Sequence, residues 1–177
     1  MGKQYKQLTD KDIAFIKEQK LFYIASSSTK EVNLSPKGYD CLRVQDPSTL
    51  LYMDYVGSGN RTHRDAEANG EFTILFNSFD EKPMILRLFC KATIVEGKSE
   101  SFYEHLKAFD EKESLVRNFF IFTIYAVESS CGETVPYMEY KGERNSLKEW
   151  MVKMDDSDKL EQYKQDHHIP KDLKTIS

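Results

Sequence analysis

Residues 57–65, GSGNRTHRD, form a polar connector between two apolar runs, LLYMDYV and EFTILFNSF, yet they carry two arginines, a histidine and three small hydrogen-bonding side chains. A plain turn needs no cations. Glycines at 57 and 59 open backbone conformations closed to other residues and leave room for the close approach of a ligand. The residues that follow read as the start of a helix, whose unpaired N–H groups and positive dipole end favour an anion. Ser58, Asn60 and Thr62 can hydrogen-bond an anionic oxygen, and Arg61 or Arg64 can neutralise its charge with a planar fork. The competing reading is a helix cap with ordinary surface arginines. His63 is either a further ligand contact or an exposed helix histidine.

A second polar group stands in EVNLSPKGYD, where Ser35 and Lys37 flank Pro36 next to Gly38. Arg87 interrupts the apolar stretch PMILRLFCKA. It either points outward on the alternation of a strand or reaches a buried anion or carboxylate. Asp54, in YMDY, ends the run before the glycine loop, where pairing with Arg61 or capping the loop competes with ligand contact. The three cysteines, Cys41, Cys90 and Cys131, have no CxxC spacing, and no His/Cys cluster suited to zinc is read. Cys131, beside Gly132, reads as structural rather than nucleophilic. His167 and His168 are adjacent, face apart on a helix, and read as a solvated tail pair.

These groups need a scaffold, and 177 residues suffice for one domain but not for two ordinary ones. Hydrophobic residues make up 40% and charged residues 31%, which excludes disorder and offers no membrane span. A net charge of −4 argues against general nucleic-acid binding, although a small anionic ligand needs only two or three local cations. MGKQYKQLTDKD lacks the apolar core of a secretory signal, and with the odd cysteine count it points to the reducing cytoplasm. The Met-Gly start has Lys6 where a myristoylation signal wants Ser or Thr.

LTDKDIAFIKEQK predicts a short amphipathic, lid-like helix with Thr9 or Asp10 as cap and Leu8, Ile13, Phe15 and Ile16 on one side. Runs of branched and aromatic residues follow: LFYIASSS, VNLS, CLRVQ, LLYMDYV, EFTILFNSF, MILRLFCKATIVE and NFFIFTIYAVESS. At least six strands are expected. PKGYD, DPST and FDEKP are turn-sized, which favours antiparallel pairing. Two connections read as helices: THRDAEANG, stopped at Gly70, and SESFYEHLKAF, capped by Ser99 or Ser101 with Phe102, Leu106 and Phe109 in a stripe. The fold expected is mainly β, an antiparallel barrel with appended helices. A polar extension over about 144–177 shows a helical face of Leu147, Trp150, Met151 and Met154, with no linker to free it as a domain. Phe119, Phe120, Ile121, Phe122, Ile124 and Tyr125 fall on both faces of one strand, so a second buried surface is needed, from a dimer or from the C-terminal helix.

FIKEQKLFYIAS, VNLSPKGYD, GSGNRT, ILRLFCKATIVE and SSCGETVPYMEYKGERNSLKEW, in this order over about residues 13–152, resemble the pyridoxamine 5′-phosphate oxidase-related family of FMN-binding split barrels. NLSPKG followed at this separation by GSGNRT is the most specific part of the likeness. The resemblance implies a six-stranded antiparallel split β-barrel that forms a homodimer and binds FMN at the subunit interface. It further implies that Asn33, Ser35 and Lys37 line the flavin site, that Ser58, Asn60, Arg61 and Thr62 hold its phosphate end, and that Asp54 and Arg87 lie near the flavin. The connector's cations then meet a dianionic phosphate.

The sequence departs from pyridoxine phosphate oxidases proper, which end with an arginine–histidine substrate clamp in an RLHDR-like region. Here CGETVPYMEYKGERN carries no histidine, which argues against pyridoxamine phosphate as substrate. The functional expectation is an FMN-dependent oxidoreductase in which the flavin passes hydride or electrons, with reduced nicotinamide as a candidate donor and no catalytic side chain assigned. The second reading keeps the barrel as a carrier, store or sensor of FMN or a haem-type ligand. A third is an interaction module without ligand.

Overall fold

The computed structural model of the chain describes residues 2–173. In chain order the elements are β1 (Lys3–Tyr5), α1 (Asp10–Glu18), β2 (Phe22–Ser27), β3 (Asn33–Lys37), β4 (Leu42–Asp46) and β5 (Thr49–Tyr55). These are followed by α2 (Arg61–Glu67), β6 (Glu71–Asn77), β7 (Ile85–Glu96), α3 (Glu100–Leu106), a 3-10 turn at Glu113–Leu115, β8 (Val116–Ser130), α4 (Ser146–Asp156) and α5 (Leu160–Asp166). The last four residues of the expected C-terminal extension lie outside the described residues.

All eight strands join one antiparallel sheet in the order β3-β2-β6-β7-β8-β5-β4, with β1 paired to β8. The mainly β class with appended helices is the one expected, with a strand count of eight where the resemblance implied six. β1 is only three residues, KQY, and shows no apolar alternation. It exists because the end of β8 offers it backbone partners, Tyr5 opposite Val127.

β8, at 15 residues, is the spine, pairing with β7 along most of its length and with β5 on its other edge. The sheet rolls up, since rings distant along the sheet order meet inside it: Phe22 of β2 against Tyr52 of β5 at 6.1 Å, and Phe72 of β6 against Phe122 of β8 at 5.5 Å. Phe72, Ile74, Phe76, Leu86, Leu88, Phe120 and Phe122 fill that interior, each at most 1% exposed. Each large side chain so buried contributes about 1.5–3 kcal/mol. The ends of the sheet order, β3 and β4, are not hydrogen-bonded to each other, which leaves a seam.

The outer face of β8 is covered at its Phe119 end, and not by the C-terminal helices. Phe119 meets Phe102 and His105 of α3 and Phe109 just beyond it, at ring distances of 5.1, 5.9 and 5.7 Å. α4 and α5 instead close a separate small cluster of Val56, Leu115, Met151 and Leu160. Thr9 caps α1 as expected: its Oγ1 accepts the Asp12 N–H, while the Asp12 carboxylate accepts the Thr9 N–H at 2.8 Å. Among the described residues no helix is long and apolar enough to cross a membrane.

Candidate functional site

A cleft of about 320 Å³ opens at the seam, at the lower end of the size range of small-ligand sites. On β3 the alternation of a strand exposes Leu34 and Pro36 and turns Asn33, Ser35 and Lys37 toward the cleft. From the opposite end of the sheet come Tyr52 and Asp54 of β5. The loop after β5 and the start of α2 add Gly57, Gly59, Asn60, Arg61 and Thr62. Of the residues expected to hold a ligand, Asn33, Ser35, Lys37, Asp54, Asn60, Arg61 and Thr62 are thus brought together from segments far apart in the chain. Ser58 is exposed at the loop's tip, outside the cleft lining.

Arg87 is not brought to this cleft either. It lies opposite Glu128 across the β7–β8 ladder, and its Nη1 donates to Glu128 Oε1 and to Ser130 Oγ, both at 3.2 Å. Of the alternatives for an arginine in an apolar strand, the structure shows the outward one: Leu86 and Leu88 on either side are buried, and Arg87 meets a part-exposed carboxylate on the outer phase of the strand.

Inside the cleft, Lys37 Nζ is 3.9 Å from Asp54 Oδ1 and 5.5 Å from the centroid of the Tyr52 ring. Tyr52 donates its hydroxyl hydrogen to Asp54 at 2.9 Å. Asp54 therefore serves Lys37 and Tyr52, and Arg61 pairs elsewhere. Burial, reinforced by the Asp54 charge, holds the Tyr52 phenol protonated well above its ordinary range. Burial likewise pushes the Cys41 thiol up to about 12, so Cys41 is no nucleophile at neutral pH. Ser35 Oγ is buried without a hydrogen-bond partner. Such a group costs about 1–3 kcal/mol unless something satisfies it.

The glycines meet one half of the expectation and not the other. Neither Gly57 nor Gly59 adopts a positive φ, but a Cβ at either would meet nothing within 4 Å. What they provide is open space beside the backbone. Asn33 Nδ2 donates to Ser26 Oγ at 3.1 Å and to Thr62 Oγ1 at 3.2 Å, locking β3 to α2. Asn60 donates to the backbone carbonyl of His168 at 2.8 Å. Arg61 donates to Glu31 at 2.9 Å and to the carbonyl of Lys171 at 3.1 Å. The residues beyond α5 therefore lie across the loop.

Three residues outside the expected ligand set organise this region. Arg117, at the start of β8, donates Nη1 to the Gly59 carbonyl at 2.7 Å and to Asn60 Oδ1 at 3.1 Å, and Nη2 to the Gly57 carbonyl at 2.5 Å. Glu31 takes both Arg61 and Arg64, and hydrogen bonding from Arg64 above all holds its carboxyl down to about 2. Asp65, fully buried, accepts from Ser26, Ser28 and Arg64 at 2.6–2.9 Å and so anchors α2 on β2. The signal for Asp65 was the serine run Ser26–Ser28 upstream, which supplies donors for a buried carboxylate. Arg117 and Glu31 gave none.

His63 is buried rather than exposed, with Glu67 on one ring nitrogen and Glu96 on the other. A neighbouring cleft of about 610 Å³ shares Pro36, Gly38 and Tyr39 with the first and is lined further by Lys20, Phe79, Met138, Tyr140 and Arg144. Tyr39 donates its hydroxyl hydrogen to the Arg144 carbonyl and so closes one wall.

No family profile matches the chain. Over 141 residues it is 35% identical to the pyridoxamine 5′-phosphate oxidase family protein ustO of Aspergillus flavus, an alignment that covers 76% of this chain and 56% of that protein. The chain thus spans little more than half the length of this curated relative. Among solved structures, a candidate pyridoxamine 5′-phosphate oxidase from Lactobacillus delbrueckii superposes with a TM-score of 0.57 at 17% identity, covering 70% of this chain and 98% of that one. The FAD binding protein of Mycobacterium smegmatis gives 0.50 at 12% identity, over 71% and 97% of the two chains. At these identities the structures speak for the fold alone.

Proposed function

The chain is a relative of the pyridoxamine 5′-phosphate oxidase family in sequence and in fold, and we propose that its seam cleft holds FMN and that the protein is an FMN-dependent oxidoreductase acting as a homodimer. The observation that carries this reading is the convergence of Asn33, Ser35 and Lys37 from one end of the sheet with Asn60, Arg61 and Thr62 from the other around one cleft. The residues fit the group. The unpartnered Ser35 hydroxyl and the Lys37 ammonium offer donors to the polar edge of a flavin ring, and the open space beside Gly57 and Gly59 admits a phosphate.

Arg61 supplies the phosphate's counter-charge and Thr62 a hydroxyl, with Ser58 at the rim. Arg117 neutralises the partial negative charge of two loop carbonyls that would otherwise oppose an anion. Asn60 and Arg61, which would hold the phosphate, donate to the carbonyls of His168 and Lys171. Bound flavin supplies hydride or single-electron transfer. The neighbouring cleft, with Phe79, Met138 and Tyr140 in its wall, is the place for a small organic substrate or for reduced nicotinamide. Three unpaired cysteines accord with a reducing, cytoplasmic setting.

The M. smegmatis protein is described as binding FAD, so the test compares FMN, FAD and riboflavin by calorimetry. FMN is expected to bind most tightly. Arg61→Ala is expected to weaken FMN by about 10- to 100-fold, the loss of a charged hydrogen bond of about 1.5–3 kcal/mol, and to leave riboflavin unchanged. Equal losses for both ligands would remove Arg61 from the phosphate site. Reduced nicotinamide should bleach the bound flavin, with colour returning on addition of an acceptor. Bound flavin that no reductant bleaches would make the protein a carrier or sensor instead.

A further inference from the structure

On the far side of α2 from the cleft, His63 stands between two carboxylates. Its Nε2 is 2.9 Å from Glu96 Oε1 and its Nδ1 is 3.4 Å from Glu67 Oε2, one helical turn away on α2. The ring of His168, from the segment after α5, meets the His63 ring edge-on at a centroid distance of 5.0 Å. One ligand atom each from His63, Glu67 and His168 can be chosen so that all lie within 4.8 Å of one another. None of these residues lines the flavin cleft.

We propose that His63, Glu67 and His168 form a binding site for a divalent transition-metal ion of the zinc class, and that the ion fastens the C-terminal segment to α2. Imidazole and carboxylate donors suit such an ion, and two histidines with one glutamate leave room for a water as fourth ligand. Glu96 completes the arrangement from behind. The tautomer that donates Nε2–H to Glu96 leaves Nδ1 bare, and a carboxylate on the remote nitrogen is the usual partner of a metal-bound histidine. A bare Nδ1 facing the Glu67 carboxylate opposes two lone pairs, a repulsion that an interposed cation converts into two bonds. A doubly protonated His63 would also satisfy both carboxylates, but it gives no reason for a second imidazole to gather there.

The geometry needs modest closure. Zinc bonds of about 2.0–2.2 Å place tetrahedral ligands roughly 3.4 Å apart. His63 is buried, while Glu67 and His168 are exposed. The backbone already brings His168 there, because its carbonyl accepts from Asn60 at 2.8 Å. A metal at its ring would hold the same residue at a second point and strengthen the tail's seat across the loop.

The test uses the full chain, Zn²⁺ in calorimetry and Co²⁺ as a spectroscopic substitute. One equivalent of each is expected, with the intense visible bands of low-coordinate Co²⁺ and no thiolate charge-transfer band. His63→Ala risks unfolding because the side chain is buried, so the deciding variants are His168→Ala and Glu67→Gln. Each should lower Zn²⁺ affinity at least tenfold, with the melting temperature of the metal-free protein unchanged. Zn²⁺ should also slow proteolysis of the C-terminal segment in the wild type and not in His168→Ala. Absence of saturable binding, a thiolate band that moves the ion to a cysteine, or undiminished affinity in His168→Ala would each overturn the site.

Discussion

Glu31 shows how charges at the mouth of the cleft are set by neighbours rather than by burial. It accepts from Arg61 and Arg64, and its carboxyl is held down to about 2, first by the hydrogen bond from Arg64. A carboxyl depressed in the folded state stabilises that state fully above its unfolded value, near pH 4.5, and the contribution is lost as pH falls through the folded value, near 2. Carbon-detected NMR titration of Glu31 should therefore find a midpoint near 2 in the wild type and a clearly higher one in Arg64→Met, still below the ordinary carboxylate value because Arg61 and the backbone keep donating. An unchanged midpoint in the variant would assign the depression to another cause. Glu31 had no sequence signature because its partners are 30 and 33 positions away, on the far side of β3.

Among the elements, α2 is the one that must be placed accurately, since its first residues line the cleft. The sequence predicted its end at Gly70 as a glycine stop. The structure keeps the stop but changes the reason. Asn69 takes the left-handed conformation, at φ 51°, while Gly70 is required by closeness. A Cβ there would lie 2.5 Å from the Ser27 carbonyl oxygen and 2.7 Å from that of Asp65. Both neighbours are backbone, so they cannot swing aside. Gly70→Ala should cost about 1–3 kcal/mol and lower the melting temperature by several degrees. Calorimetric unfolding at wild-type temperature would show that β2 and α2 can separate without cost. Other elements were legible from pattern to within one residue: the capped starts of α1 and α3 follow from local chemistry, with Thr9 and Ser99 the caps among the pairs the pattern offered.

At the scale of the whole molecule, the rolled sheet leaves apolar side chains outside as well as in. Val32, just before edge strand β3, and Leu34 on it are 73% and 65% exposed, and Tyr125 on β8 is 51% exposed. α3 covers only the Phe119 end of the outer face of β8, so the reason to expect a second surface persists for the remainder. The proposed homodimer accordingly predicts that sedimentation velocity at micromolar concentration gives twice the chain mass, with or without added FMN. A flavin-loaded protein sedimenting at the single-chain mass would remove the dimer and keep the cofactor.

Composition and periodicity alone determined a mainly β domain with appended helices and the positions of the anion-suited loop and of the polar turn at Ser35–Gly38, because alternation, capping and turn chemistry act over a few residues. Only the tertiary structure decided that Arg87 pairs with Glu128 and stands away from the cleft, that Arg117 braces the loop, and that His63 is buried within reach of His168. Those outcomes depend on how the sheet rolls and where its ends meet. That closure is fixed by packing among residues dozens of positions apart, and no local pattern encodes it.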